Sequence, residues 1–162
     1  MARRLRPVEL DFVRSAPVRL AFSAEVSASA EAVYHALAED LANTPAWFTP
    51  VVAARPTRDG AGREVRLRGG VVFQETIMAR DPGARYAYRV DETNAPGLRA
   101  LLEEWLITPA VAGARTRVRW TMAVDGTVPL RLTVRAAGAG MGRSFHGAMR
   151  NLDRRLATAP PR

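Results

Sequence analysis

The 162-residue chain has no cysteine. That removes any disulfide framework, thiol nucleophile or cysteine metal site. It also has no lysine: all 24 basic side chains are arginine. No run approaches the roughly 20 apolar residues that a membrane-spanning helix needs. The start, Met1 to Pro7, is basic, but the segment after it is broken by Glu9 and Asp11. No uninterrupted apolar stretch of a secretory signal follows, so a cytoplasmic protein is expected. The two histidines, His35 and His146, each stand alone, and no HxxxH or HExxH spacing occurs. Neither a metal nor another cofactor is expected. Gly-Xaa-Ser-Xaa-Gly and phosphate-loop patterns are also missing, which removes a nucleophile elbow and an evident nucleotide site.

What is present fits one domain with its own core. The formal net charge is +8. One reading is coding bias, since an Arg-only, Ala-rich chain suits a GC-rich genome. The other is an anionic partner: nucleic acid, a membrane surface or an acidic carrier protein. The arginines are spread along the chain rather than massed in a block.

The apolar pattern changes period along the chain. Residues 1–16 read as a polar lead-in with a loosely ordered start. Val18 to Val26 alternates as a strand. A serine near Ser27 or Ser29 can cap a helix whose apolar face is Ala30, Val33, Tyr34, Leu37 and Leu41. Asn43-Thr44-Pro45 interrupts it, and a second short turn is expected around Trp47. Period two then takes over through Val51–Thr57, Arg63–Arg68, Val71–Ala79, Arg85–Val90, Leu101–Thr108 and Arg117–Val124. Clean alternation predicts antiparallel strands with one wet face. Last comes an amphipathic helix over Val134–Leu156, with Val134, Ala137, Met141, Phe145, Ala148, Leu152 and Leu156 on one stripe. Gly138, Gly140 and Gly142 interrupt its start. Each costs about 1 kcal/mol relative to Ala, so a kink or loop is expected there, with room for a ligand as the alternative. Arg143 follows, either facing an anionic ligand group or lying on the surface.

The phrase Val26-Ser27-Ala28-Ser29-Ala30-Glu31-Ala32-Val33-Tyr34-His35-Ala36-Leu37, followed by Asp40 and Trp47, resembles the opening of START-related helix-grip proteins. This superfamily includes polyketide cyclases/dehydrases and lipid-transport proteins. Glu104-Trp105-Leu106-Ile107-Thr108-Pro109, a glycine turn at Gly113 and Thr116-Arg117-Val118-Arg119-Trp120 look like its last two strands. Asn151-Leu152 is similar to the end of its final helix. The resemblance implies an α+β helix-grip fold: a seven-stranded antiparallel sheet wrapped around a long C-terminal helix, with two short helices after the first strand. It places the ligand-binding domain at 17–157, after an extension at 1–16 and before a disordered tail at 158–162. It further implies a cavity holding a small hydrophobic or aromatic molecule of lipid, quinone or polyketide type. These motifs support fold rather than function.

Parity assigns Val65, Leu67, Tyr86, Tyr88, Val118, Trp120 and Met122 to the sheet's inner face. If Phe73 and Ile77 point inward, so does Glu75. If Trp105 and Ile107 do, so does Glu103, with Leu102 and Leu106 as the opposite phase. The candidate ligand-binding residues are therefore Phe73, Glu75, Tyr86, Tyr88, Glu103, Trp105, Trp120 and Met122, with Met141 and Phe145 from the helix. A carboxyl in an apolar cavity resists ionisation. Two glutamates on neighbouring strands would lie close together and could act as acid and base. Solvation at a strand end, or pairing with arginine, is the plainer reading. Whether the protein is an enzyme, and which residue would be catalytic, stays open; a polyketide cyclase/dehydrase-like activity is the alternative to simple binding. Outward-facing Arg66, Arg68, Arg85, Arg89, Arg117 and Arg119 form a basic surface for an acidic carrier protein or membrane headgroups. Nucleic acid is disfavoured because the aromatics share the opposite parity.

Overall fold

The structure, a computed structural model, describes residues 1–110 and 115–158. The expected glycine turn at Gly113 and residues 159–162 of the expected tail lie outside them.

The elements run β1 (Arg3–Arg4), α1 (Phe12–Ser15), β2 (Val18–Val26), α2 (Ala30–Ala38), a 3-10 turn (Leu41–Asn43) and α3 (Thr44–Trp47). Then follow β3 (Val51–Thr57), β4 (Gly62–Leu67), β5 (Val72–Asp81), β6 (Arg85–Thr93), β7 (Leu98–Pro109), β8 (Thr116–Gly126) and α4 (Val128–Thr158). Seven strands follow the spatial order β2-β8-β7-β6-β5-β4-β3, all antiparallel, and β1 adds a short pairing to β6. This is the α+β helix-grip arrangement. Ser29 starts α2 as its cap, its hydroxyl accepting from the Ala32 amide.

Two segments differ from the sequence reading. The lead-in is not a loose tail: β1 pairs with β6, and Val8, Phe12 and Val13 are buried against Ala100, Leu102 and Ala123 on the outer face of the sheet. Leu102 is thus buried on the face opposite Trp105, under this strap. The second difference is α4, which starts at Val128 and runs unbroken through all three glycines. Pro129 fits its first turn, where an N–H would have no partner. No kink forms, and one of the three, Gly142, serves close packing. A Cβ on Gly142 would come 3.1 Å from Phe22 Cε1, and one on Gly138 would come 3.5 Å from Leu20 Cδ2. Both contacts are on β2; the one at Gly138 would be ordinary packing, whereas at Gly142 the missing side chain lets α4 rest on that edge of the sheet.

The two halves of α4 are unlike. Phe145, Ala148, Met149 and Leu152 of the C-terminal half are buried in the main core. Asp153 anchors that half, accepting from the Ser27 and Ala28 amides and the Ser27 hydroxyl. In the N-terminal half Ala136, Ala137, Ala139 and Gly140 remain exposed. The helix covers β2 and β8 there but does not close down over β3–β5.

Candidate functional site

The gap beneath that half of α4 is a cavity of about 650 Å³. Its sheet wall carries Val65, Leu67, Phe73, Leu101, Trp120 and Met122; its helix wall carries Ala136, Ala137, Ala139, Gly140 and Met141. Phe48 and Pro50 close one side, just after α3. Alternation explains the sheet wall. Ile77 pairs with Tyr88, Tyr88 with Glu103, Glu103 with Met122 and Met122 with Leu20, one inward-facing row across five strands.

Six of the ten candidate residues are on the cavity wall: Phe73, Glu75, Glu103, Trp120, Met122 and Met141. The other four stand behind it. Trp105 stacks on Trp120 with ring centres 5.4 Å apart, and Phe145 packs 6.1 Å from Trp105. Tyr86 and Tyr88 are buried side by side, 5.4 Å between ring centres. Their bulk sets the cavity's depth instead of lining it.

The polar groups concentrate at the sheet side. Tyr88 donates to Glu103 Oε2 at 2.7 Å, and Trp120 Nε1 donates to the same oxygen at 3.0 Å. Trp105 Nε1 in turn donates to the Tyr88 hydroxyl at 3.0 Å. Glu75 is 2% exposed and forms a buried ion pair with Arg63 Nε. The two residues are register partners across β4 and β5. The Arg63 guanidinium also sits 3.6 Å from the Tyr88 ring centre, a desolvated cation–π contact. Arg63 was missed in the sequence reading, although it shares parity with Val65 and Leu67 and so had to face inward. Glu75 and Glu103 are not on neighbouring strands as expected: β6 lies between β5 and β7.

Burial dominates the acid–base character of this group. It pushes the Glu75 carboxyl up to about 7, against the pull of Arg63 and with a further push from the Glu103 charge. Burial also raises Glu103, opposed by the Tyr88 hydrogen bond, the Arg63 charge and the Trp120 hydrogen bond. Glu103 keeps some exposure, and that exposure is to the cavity. Tyr88 is held well above the usual phenol range by burial. The buried Tyr86 hydroxyl has no hydrogen-bond partner among the described residues; burial raises it and the nearby Arg63 charge opposes. The floor can therefore accept or donate a proton near neutrality and can hydrogen-bond a hydroxyl or carbonyl. Among the described residues no cluster of His, Asp and Glu could hold a metal ion, and no helix is long and apolar enough to cross a membrane.

The outer face is less basic than its arginines suggest. Arg85 pairs with Glu104, Arg89 with Glu9 and Asp91, Arg117 with Glu25 and Arg66 with Glu64.

A helix closed over one side of an antiparallel sheet, with an apolar cavity left open, defines a helix-grip protein. The chain belongs to the polyketide cyclase/dehydrase and lipid transport family, whose model matches residues 17–157. An uncharacterised protein of Mycobacterium tuberculosis is 28% identical over 152 residues, 91% of this chain and 89% of that protein. A START superfamily protein from Mycobacterium smegmatis superposes with a TM-score of 0.67 at 14% identity, covering 86% of this chain and 97% of its own. The Zhui aromatase/cyclase from Streptomyces sp. R1128 gives a TM-score of 0.68 at 19% identity, covering 86% of this chain and 93% of its own. At these identities the solved structures establish the shared fold alone.

Proposed function

We propose that this protein binds a small hydrophobic or aromatic molecule, of lipid, quinone or polyketide type, between its sheet and α4. The observation that carries this reading is the cavity of about 650 Å³ with largely apolar walls, a size within the range of small-molecule sites. An interior meant only for stability would close such a space, because each unfilled volume forfeits packing energy. The test is saturable binding of the neutral fluorophore N-phenyl-1-naphthylamine, together with native mass spectrometry of the purified protein for retained apolar cargo. Ala137→Trp fills the cavity from an exposed helix position. It should abolish binding without unfolding the chain; unchanged binding in that variant would overturn the reading.

A second reading, a cyclase/dehydrase-like enzyme, is favoured by the proton-active floor. Glu75 or Glu103 would supply an acid or base, and the cavity would hold a folded reactive chain in place. Glu103→Gln would then abolish turnover of a polyketide-type substrate while affinity survives. Equal turnover in Glu75→Gln and Glu103→Gln alike would count against catalysis. Docking of an acidic carrier protein on the sheet face is the weakest reading, since four of its arginines are already paired with carboxylates.

A further inference from the structure

The cavity is polarised along its depth. Its floor holds Glu75 and Glu103, and Arg63, the one cation there among the described residues, is committed to Glu75. Its lip holds Arg143, exposed on α4 beside Ser144. Among the described residues the Arg143 side chain forms no ion pair or hydrogen bond, in contrast to that of Arg63. Its guanidinium lies back over the preceding turn: a Cβ on Gly140 would sit 3.8 Å from Arg143 Nη2. Gly140 itself lines the cavity, so the free guanidinium stands along the opening.

We propose that the ligand is an acidic amphiphile, with an apolar or aromatic body inside and a carboxylate at the lip against Arg143. This rests on the cavity-binding reading and gives that ligand a charge and a direction. A carboxylate carried to the floor would be stripped of water and set beside two carboxyl groups. At the lip it keeps part of its hydration and meets a planar guanidinium able to take both oxygens. The apolar body meanwhile covers Leu67, Phe73, Met122 and Met141. A cationic amphiphile meets the reverse arrangement and is repelled at entry.

The test compares pyrenebutyric acid with pyrenebutanol, which differ only in the head group, by fluorescence titration at about pH 8, where the free acid is ionised. The wild-type protein should bind the acid about two- to fivefold more tightly than the alcohol, the range of a partly exposed ion pair. That preference should shrink as salt is raised. Arg143→Gln should erase it and Arg143→Glu should invert it, read as the ratio of acid to alcohol affinity within each protein. Equal affinity for the two probes in the wild type, or a preference that survives Arg143→Glu, overturns the inference and leaves cavity binding standing. Failure of both probes to bind any of the three proteins overturns cavity binding and this inference with it.

Discussion

Replacing Glu75 by Gln should flatten the pH dependence of folding, while replacing Arg63 by Met should extend it upward. Glu75 sits at about 7 in the folded chain, against 4.5 for an unburied glutamate. A carboxyl raised by folding binds its proton more tightly in the folded state. Its stabilising contribution is complete below about pH 4.5 and is lost as pH rises through about 7. The difference corresponds to about 3 kcal/mol. Arg63→Met removes the charge that holds this carboxyl down, so the loss should continue above pH 7, at up to about 1.4 kcal/mol per pH unit. It also loses the cation–π contact with Tyr88, about 2 kcal/mol, but that offset does not vary with pH. Below about pH 7 the wild-type carboxyl is itself neutral, so Glu75→Gln exchanges one neutral buried group for another and then gains on wild type as pH rises, because it has no proton to lose. Glu103, also raised, adds a slope of the same sign in all three proteins, so the differences between curves are the quantity to read. Urea unfolding from about pH 5 to about pH 9 measures them, provided the m-values agree. A Glu75→Gln slope equal to wild type would refute the argument. So would an Arg63→Met variant that gains on wild type as pH rises.

The glycines of α4 should respond oppositely to substitution. Gly142→Val should cost about 1–3 kcal/mol by crowding Phe22, whereas Gly140→Ala should gain up to about 1 kcal/mol of helix propensity in open space; thermal denaturation of both reports the contrast. Tyr88→Phe should cost about 1–3 kcal/mol, because it leaves the buried Trp105 N–H without its acceptor, and denaturant midpoints measure that. Phe12→Ala should cost about 3 kcal/mol and uncover Ala100, Leu102 and Ala123, seen as lower stability with new binding of a hydrophobic dye.

The fold was legible because alternation is a local signal. Arg85 to Val90 announces a strand whatever the rest of the chain does, and the parity of Tyr88 with Glu103 and Trp120 follows from the pleat. The phase of Glu75 and Glu103 stayed open, because both parities of these strands carry apolar residues, Leu102 and Leu106 against Trp105 and Ile107; the register placed them inward. What escaped depends on long-range contact. Nothing near Phe12 says that a segment remote in sequence will present Ala100 and Leu102 to it. The glycines of α4 read as a break because propensity counts only the helix itself; the purpose of Gly142 appears when Phe22 lies beneath it. Arg63 was overlooked for a different reason. Its parity was plain, but a charged side chain is assigned outward by habit, and its partner Glu75 is identified only by the β4–β5 register.

The cavity and its chemistry have one structural origin. Small residues bring α4 down onto β2, and the aromatic cluster of Trp105, Trp120 and Phe145 fixes the height of its C-terminal half. With one edge and one end fixed, the N-terminal half cannot also reach β4 and β5, whose inner face carries Arg63 and Glu75. An ion pair that would otherwise lie under a packed helix is left facing a pocket, too deep for full hydration and too open to be inert. The pressure on the Glu75 proton and the space for a ligand are therefore coupled. A substitution that lets α4 settle toward β4 and β5 should shrink the cavity and drive the Glu75 carboxyl further up together. One that widens the gap should admit water and bring it back toward the ordinary range for glutamate.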